Sequence, residues 1–301
     1  METIENQKKQ HGLGLAITAA ILASILFSGK GILTKAGMAY GVSALEMLAL
    51  RLSLAAPLYA GILFWSLRKR PIPLPLFFKS IGLGLLGCYV CPTFNFYGLQ
   101  TVSASLERVL IHAIPAMVLL ISWFKGREML SRKTTIALAI CYIGVAMSCL
   151  GRDGANARAD LIGVTSILFG CLLYAYFLIE SVRVQNLVGV VSFTSAAMLG
   201  SATVCCIQSI VTGHSQALFS PPDGVFPLAI ALAVLCTVFP AYLSAYGLKM
   251  LGASRTSVLN MFGPLLTPII AALTLGENMS SLQMGGFALV FAGGIILSRK
   301  A

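Results

Sequence analysis

The chain has 301 residues, of which 57% are hydrophobic and only 10% are charged. A soluble domain carries about 25% charged residues, so this composition excludes a protein with an ordinary water-facing surface. The formal net charge of +11 is spread between apolar runs and is not gathered in one stripe or tail, which argues against nucleic acid as a partner. The composition instead predicts a chain that lies in a lipid bilayer.

Ten apolar runs of membrane-spanning length follow one another along the chain. About 17 to 25 apolar residues cross the hydrocarbon core as a helix. The runs cover 13–33, 42–67, 81–99, 104–124, 134–150, 161–179, 190–211, 226–248, 257–275 and 284–297. They do not alternate polar with apolar residues, as the strands of an outer-membrane barrel would. The sequence therefore predicts an all-α integral membrane protein with ten transmembrane helices.

Lysine and arginine are distributed unevenly between alternate loops. The side that holds both termini has most of them, whereas the other side has only Lys35, Arg152 and Arg158. Positively charged loops stay in the cytoplasm. Both termini are therefore expected to be cytoplasmic, and the chain is expected to be a multi-pass protein of the cell's inner (plasma) membrane.

The two halves of the chain align with each other. A shift of 149 residues places 97–148 on 246–297 without a gap, and about a quarter of the positions match. Five spans are an odd number, so the second copy enters the membrane with the opposite orientation. The predicted domains are an N-terminal tail (1–11), a first repeat with spans 1–5 (12–150), an inter-repeat loop (151–160) and a second repeat with spans 6–10 (161–298).

This inverted-repeat arrangement favours transport over catalysis. Transporters built in this way bind their substrate near the middle of the membrane, between the repeats, and alternate access by rocking one repeat against the other. The sequence has no HExxH motif, no glycine-rich phosphate loop and no nucleophile with a base placed near it, so no enzyme is predicted.

Two segments of the chain share a signature. The first is YGLQTVSASLERVLIHAIPAMVLLISWFKGRE from Tyr97, and the second is YGLKMLGASRTSVLNMFGPLLTPIIAALTLGE from Tyr246. The Tyr-Gly-Leu start, the mid-span proline and the exit at Gly276-Glu277 resemble the EamA-type branch of the drug/metabolite transporter superfamily. The first copy departs from that pattern at Glu107, Arg108 and His112, where small apolar residues are usual. The resemblance implies a carrier of small polar or amphipathic metabolites, often an exporter of amino acids.

Five ionisable side chains fall inside the predicted spans, all in the first half: Lys30, Glu46, Arg51, Glu107 and Arg108. A charge in hydrocarbon costs about 2.5–3.5 kcal/mol on insertion scales, so these groups are expected to pair or to face a watery cavity. Three cations against two anions leave one positive charge. The surplus predicts attraction of a carboxylate or another anionic group of the substrate, with Lys30 and Arg108 as binding residues. The alternative is a structural ion-pair network, to which Glu46, Arg51 and Glu107 are assigned.

His112 lies near the middle of the fourth span, on the same helix as Glu107 and Arg108. Histidine changes its charge between about pH 5 and 8, so His112 is a candidate for coupling proton movement to transport. The alternative is a neutral, hydrogen-bonded histidine with no role in coupling.

Further cavity residues are predicted from polar and aromatic side chains inside the spans. Tyrosines can stack on a substrate, and a proline frees a backbone carbonyl for water or ligand, or only kinks its helix. The candidates are Tyr89, Tyr174, Tyr242, Ser257 and Asn260, with helix kinks at Pro115 and Pro264.

No metal and no cofactor is expected. All eight cysteines fall inside spans, and the Cys88/Cys91 pair is interpreted as packing. The predicted partners are a small-molecule substrate and the lipid bilayer. Glycines such as Gly285 and Gly293 in the last span indicate either a homodimer seam or internal helix packing. Alternatives within transport are a sugar-phosphate carrier and a cationic-drug carrier; a channel and an intramembrane enzyme are less favoured.

Overall fold

The structure is a computed structural model that describes residues 2–111, 113–126, 132–150, 157–212, 220–260 and 280–298. Throughout these residues the regular secondary structure is helical, which confirms the predicted all-α class for this part of the chain. The α-helices are α1 (Glu2–Met38), α2 (Ala44–Lys69), α3 (Leu74–Gly84), α4 (Cys91–Leu99), α5 (Ala104–Ile111), α6 (Ile114–Phe124), α7 (Arg132–Leu150), α8 (Ala157–Val188), α9 (Val190–Val211), α10 (Val225–Ala233), α11 (Phe239–Leu259) and α12 (Ser281–Ser298). Two π-helical turns, π1 (Leu85–Val90) and π2 (Val234–Val238), join α3 to α4 and α10 to α11.

Six helical stretches are long and apolar enough to cross a membrane: Leu13–Met38, Ala44–Lys69, Leu74–Leu99, Leu161–Val188, Val190–Val211 and Val225–Ser257. Shorter apolar stretches occupy Val109–Phe124, Thr135–Gly144 and Met284–Gly293. Each of these stretches overlaps a predicted span. The remaining predicted span, 257–275, lies mostly outside the described residues. The chain is therefore a multi-pass membrane protein.

Two helices are longer than the apolar runs that predict them. α1 begins at Glu2, inside the predicted tail, and α8 begins at Ala157 and ends at Val188. Apolar runs identify the part of a helix that lies in lipid, and they do not locate its ends. The polar extensions contain Glu, Gln and Lys or Arg, which are good helix formers, so the helices continue beyond the apolar runs.

Helices from the two halves pack on one another in reciprocal pairs. α2 packs along α9, α7 along α12, α1 on α11 and α4 on α8. Under the 149-residue shift, α1 corresponds to α8 and α4 corresponds to α11. The α1–α11 contact therefore has an equivalent in the α8–α4 contact when the two halves are exchanged. The α2–α9 and α7–α12 contacts are converted into themselves. This is the contact pattern expected of two copies related by a two-fold axis.

Both halves contain a π-turn immediately before a proline. π1 begins at Leu85 and π2 at Val234, which is 149 residues later. Proline has no N–H to donate to the preceding helical turn, so the regular hydrogen-bond ladder is interrupted at Pro92 and Pro240. The widened turns close with bonds from the Cys91 N–H to the Leu86 carbonyl and from the Phe239 N–H to the Val234 carbonyl.

Glycines set how closely the helices of the two halves approach. A Cβ on Gly84 of α3 would lie 2.3 Å from the Cα of Ala197 on α9, so the two backbones are in contact. On α12, a Cβ at Gly285 would lie 3.5 Å from Met147 of α7, so this glycine faces a helix of its own chain. Small residues at such crossings let membrane helices pack closely.

We predict that Gly84→Ala destabilises the protein by about 1–3 kcal/mol, because the new methyl group meets backbone atoms that cannot rotate away. Thermal unfolding of the purified protein in detergent measures the effect as a lower midpoint. The matched control is Gly82→Ala on the same helix, where an added Cβ meets no atom within 4 Å. Equal midpoints for the two variants would contradict the close α3–α9 contact.

Candidate functional site

A cavity of about 170 Å³ lies between the two halves of the bundle. A water molecule needs about 10–15 Å³ on the same measure, so the cavity has room for a small organic molecule with some of its water. The first half contributes α1, α2, the π1–α4 segment, the end of α5 and the start of α6 to its wall, and the second half contributes α8, α9, π2 and the end of α11. Gly87 and Cys88 of π1 and Thr237 of π2 belong to this wall, so both widened turns open onto it.

Arg51 is a buried cation in the wall of this cavity, with 5% of its surface exposed. Its guanidinium carbon lies 5.4 Å from the centre of the Phe96 ring, a favourable cation–π distance. Among the described residues its guanidinium has no carboxylate within 4.0 Å, and its Nε–H has no hydrogen-bond acceptor. A guanidinium carries five N–H donors, so Arg51 has donors available for a ligand.

Lys30 lies near Arg51 and shares its aromatic neighbour. The Lys30 Nζ is 5.3 Å from the centre of the same Phe96 ring and 3.6 Å from the Glu107 Oε1. The side chains of this ion pair are mostly buried for Lys30 and fully buried for Glu107, with 11% and 1% exposed. Since Glu107 pairs with Lys30, the charge of Arg51 remains without a counter-charge among the described side chains. This part of the cavity therefore favours an anion.

Uncharged polar groups complete the wall. The Oδ1 atoms of Asn95 and Asn260 are buried and have no hydrogen-bond donor among the described residues. Asn260 is held near α1 because the Ser24 hydroxyl donates to its backbone carbonyl. Amide oxygens accept hydrogen bonds from ammonium and N–H groups. The cavity thus combines a cation for a carboxylate with acceptors for a donor group.

Several residues predicted from the sequence meet in this cavity. Lys30, Arg51 and Pro115 line it from the first half of the chain, and Tyr174 of α8 with Ser257 and Asn260 at the end of α11 line it from the second half. α11 changes direction at Gly252, whose φ of 81° and ψ of 172° interrupt the helix, and this turn precedes Ser257 and Asn260. Glycine is suited to this position because it adopts a positive φ without strain.

Three other candidates lie outside the described cavity walls. The Tyr89 hydroxyl donates to the Gln208 side chain. The Tyr242 hydroxyl lies 2.8 Å from the Ser195 hydroxyl, and its ring is 5.8 Å from that of Tyr59. Glu46 takes part in a capping box at the start of α2, where its Oε2 accepts from the Ser43 N–H at 2.7 Å. Glu46 therefore does not neutralise Arg51.

Three predicted residues fall where the structure describes no side chain. His112 and Pro264 lie outside the described residues, and only the backbone of Arg108 is described, within α5. Sequence reasoning in turn missed Ser24, Asn95 and Thr237, which line the cavity. Asn95 could have been predicted to face the protein interior, because it is the single asparagine of the third apolar run and an amide in a membrane helix needs a hydrogen-bond partner. Ser24 and Thr237 gave no such signal, since small hydroxyl residues occur in many membrane helices.

A smaller cavity of about 70 Å³ adjoins the first. Phe27, Cys88, Tyr174 and Met198 belong to the walls of both cavities and separate them. The rest of the smaller wall comes from α8, α9 and α11. It is mostly apolar, and the described side chains that line it carry no charge.

A family model, two relatives and a solved structure resemble this chain over most of its length. The sequence model of the EamA-like transporter family matches residues 14–150 and again residues 161–299. The uncharacterized transporter YcbK of Bacillus subtilis (strain 168) is 27% identical over 95% of this chain and 94% of its own length. The WAT1-related protein At2g37460 of Arabidopsis thaliana is 20% identical over 91% of this chain and 79% of its own length. A crystal structure of another protein, 17% identical, shares the fold with a TM-score of 0.65 over 95% of this chain and 98% of that one.

We predict that Glu107→Gln lowers the thermal unfolding midpoint in detergent, because it leaves the Lys30 ammonium buried without its carboxylate. Removing one partner of a buried pair costs about 3–5 kcal/mol, whereas an exposed pair is worth at most about 1 kcal/mol. Arg183→Gln is the matched control, since Arg183 is 63% exposed beside Glu180. A midpoint for Glu107→Gln that equals that of Arg183→Gln would contradict the buried pair.

Proposed function

The chain belongs to the EamA-like transporter family, and from that premise we propose that it is an alternating-access secondary transporter that exports small carboxylate-bearing metabolites, above all amino acids. The observation that carries this proposal is Arg51, a buried cation on a cavity wall without a carboxylate partner among the described residues. The family and the names of the relatives point to a transporter rather than an enzyme.

In the proposed complex the substrate carboxylate binds the Arg51 guanidinium. Arginine and carboxylate form paired, charge-assisted hydrogen bonds, which are about twice as strong as neutral ones. An ammonium group on the same substrate donates to the Oδ1 atoms of Asn95 and Asn260, which are otherwise without donors among the described residues. Lys30 stays with Glu107 and adds positive potential near the carboxylate. A zwitterion satisfies both groups at once, so amino acids are favoured over simple anions.

The proposed architecture has ten transmembrane helices in two inverted five-helix repeats. Three observations support it: the family matches the chain in two successive segments, the helices of the two halves pack in reciprocal pairs, and the π-turns recur after 149 residues. The cavity lies between the halves, so rocking one half against the other would expose it to each side in turn.

Two other transporter substrates remain as alternatives. Lys30 and Arg51 lie on the same phenylalanine, and a pair of cations also suits a sugar phosphate. A cationic drug needs a membrane carboxylate that is free to bind it, and Glu107 lies 3.6 Å from Lys30. The phosphate ester is therefore the stronger of the two alternatives.

We predict that Arg51→Gln lowers carboxylate uptake into everted membrane vesicles by about 10- to 100-fold, the value of a charge-assisted hydrogen bond or two. The probes are radiolabelled L-threonine, succinate, glucose 6-phosphate and tetraphenylphosphonium. The matched control is Arg68→Gln. Arg68 lies on the same helix, is exposed and stacks on Phe64, so this variant is expected to transport normally. Uptake of tetraphenylphosphonium alone, or equal uptake by the Arg51 and Arg68 variants, would refute the proposal.

We also predict that both termini face the cytoplasm of the inner membrane, because the Lys- and Arg-rich loops lie on their side of the proposed topology. Reporter fusions that are active only in the cytoplasm, placed after residue 1 and after residue 301, test the orientation. Activity at one end only would require an odd number of spans and would remove the inverted repeat.

Proton coupling through His112 is proposed because His112 and Glu107 fall in the same predicted span. Uptake driven by a proton gradient should then depend on pH across the range in which histidine titrates, about pH 5 to 8. His112→Gln is expected to flatten that dependence while it leaves counterflow intact. If the pH profile of the variant equals that of the parent protein, His112 does not couple proton movement to transport.

A further inference from the structure

The smaller cavity lies at a different depth from the Arg51 site. Gln185 lies in the last turn of α8 and Thr194 in the second turn of α9, so their cavity is close to the α8–α9 junction at Gly189. Arg51 lies two turns from the start of α2, and Asn95 one turn from the end of α4. Within the proposed topology these ends belong to opposite faces of the membrane. The two cavities therefore follow one another across the bilayer.

Buried oxygen atoms without partners line the smaller cavity. Gln185 is 1% exposed and Thr194 is 5% exposed, and neither the Gln185 Oε1 nor the Thr194 Oγ1 has a hydrogen-bond partner among the described residues. The Ser244 hydroxyl lies in the same wall. Such atoms destabilise a folded protein relative to apolar residues of the same size. A ligand that bonds to them during the transport cycle explains why polar side chains are found there.

The two cavity walls share Phe27, Cys88, Tyr174 and Met198. Long side chains such as Phe27, Tyr174 and Met198 can change rotamer without backbone movement, and methionine is especially adaptable. The rings of Tyr174, Phe177 and Phe193 then continue along α8 and α9, with successive centroids 5.5 Å and 6.4 Å apart. Gly87 lets the Phe177 ring lie against π1, since a Cβ there would be 2.3 Å from that ring.

We propose that the smaller cavity is a second, uncharged substrate site on the transport path. It receives the substrate from the cytoplasmic side and passes it to Arg51 when Phe27, Tyr174 and Met198 rotate. The Thr194 and Ser244 hydroxyls donate to the carboxylate, and the Gln185 Oε1 accepts from the substrate's ammonium group. The proposal rests on the proposed function, and on a substrate that carries a carboxylate and an ammonium group. A site without a cation binds the carboxylate more weakly than Arg51 does, so the substrate moves on from it to Arg51. Passage through successive sites requires each of them to release what it binds.

The first test separates binding from turnover. Gln185→Leu and Thr194→Val, alone and combined, remove the unpartnered oxygens and keep the side-chain volume, so the variants are expected to fold at least as well as the parent chain. Uptake of L-threonine by proteoliposomes should fall about tenfold in the double variant, while its equilibrium binding of L-threonine stays within about twofold of the parent. Thr203→Val, on the exposed face of α9, is the matched control and should change neither quantity.

The outcomes distinguish this site from the Arg51 site. Arg51→Gln is expected to lose L-threonine binding itself, whereas the double variant keeps binding and loses rate. Parental uptake in the double variant overturns the second site. A loss of affinity like that of Arg51→Gln also overturns it, because the two cavities would then form a single site.

A second test does not require the substrate to be known. In a chain whose eight natural cysteines are replaced by alanine, Thr194→Cys should react with 2-aminoethyl methanethiosulfonate applied to the face that bears the α8–α9 junction. Absence of reaction from either face overturns the second site. If the parent protein neither binds nor transports L-threonine or succinate, the proposed function fails, and this labelling still decides whether the smaller cavity opens to water.

Discussion

A guanidinium inside a membrane protein must have either a counter-charge or access to polar ligand and water. Arg51 meets this constraint in an unusual way, because Glu46 belongs to a helix cap and Glu107 pairs with Lys30. Among the described residues, the Arg51 guanidinium lies over the ring of Phe96, and Arg51 lines the cavity. The polar side chains around the cavity follow from this arrangement, since each of them can solvate or complement the ligand that Arg51 attracts.

Pro92 in the third predicted span and Pro240 in the eighth accompany the widened turns that line the cavity. Pro92 and Pro240 interrupt the helical hydrogen bonds, and the π-turns before them place Gly87, Cys88 and Thr237 on the wall. π-helical turns inside α-helices are frequent at functional sites. Because the same π-turn occurs once in each half, equivalent segments of the two halves contribute to the wall. The cations among the described wall residues, Lys30 and Arg51, both come from the first half.

The sequence predicted the fold class and most helices, because apolar runs identify membrane spans by length and composition. Of the cavity residues predicted from the sequence, Lys30, Tyr174, Ser257 and Asn260 line the described cavity. Arg51 also lines it, although the sequence assigned Arg51 to an ion-pair network. The sequence did not predict that Glu46 would cap α2. A glutamate near the start of a helix can form either a Ser-x-x-Glu capping box or a buried ion pair, and the sequence does not distinguish the two. The partners of Tyr89 and Tyr242 lie on helices remote in sequence, and no local pattern indicates them.

The contact between Gly84 and Ala197 restricts how the bundle can rearrange. With a Cβ position only 2.3 Å from a facing backbone atom, α3 and α9 pack backbone to backbone, which opposes sliding of one helix along the other. Rocking of one half against the other would then pivot at this contact and would not shear along it. Within α11, Gly252, where the helix already changes direction, has the backbone freedom to bend as the halves rock.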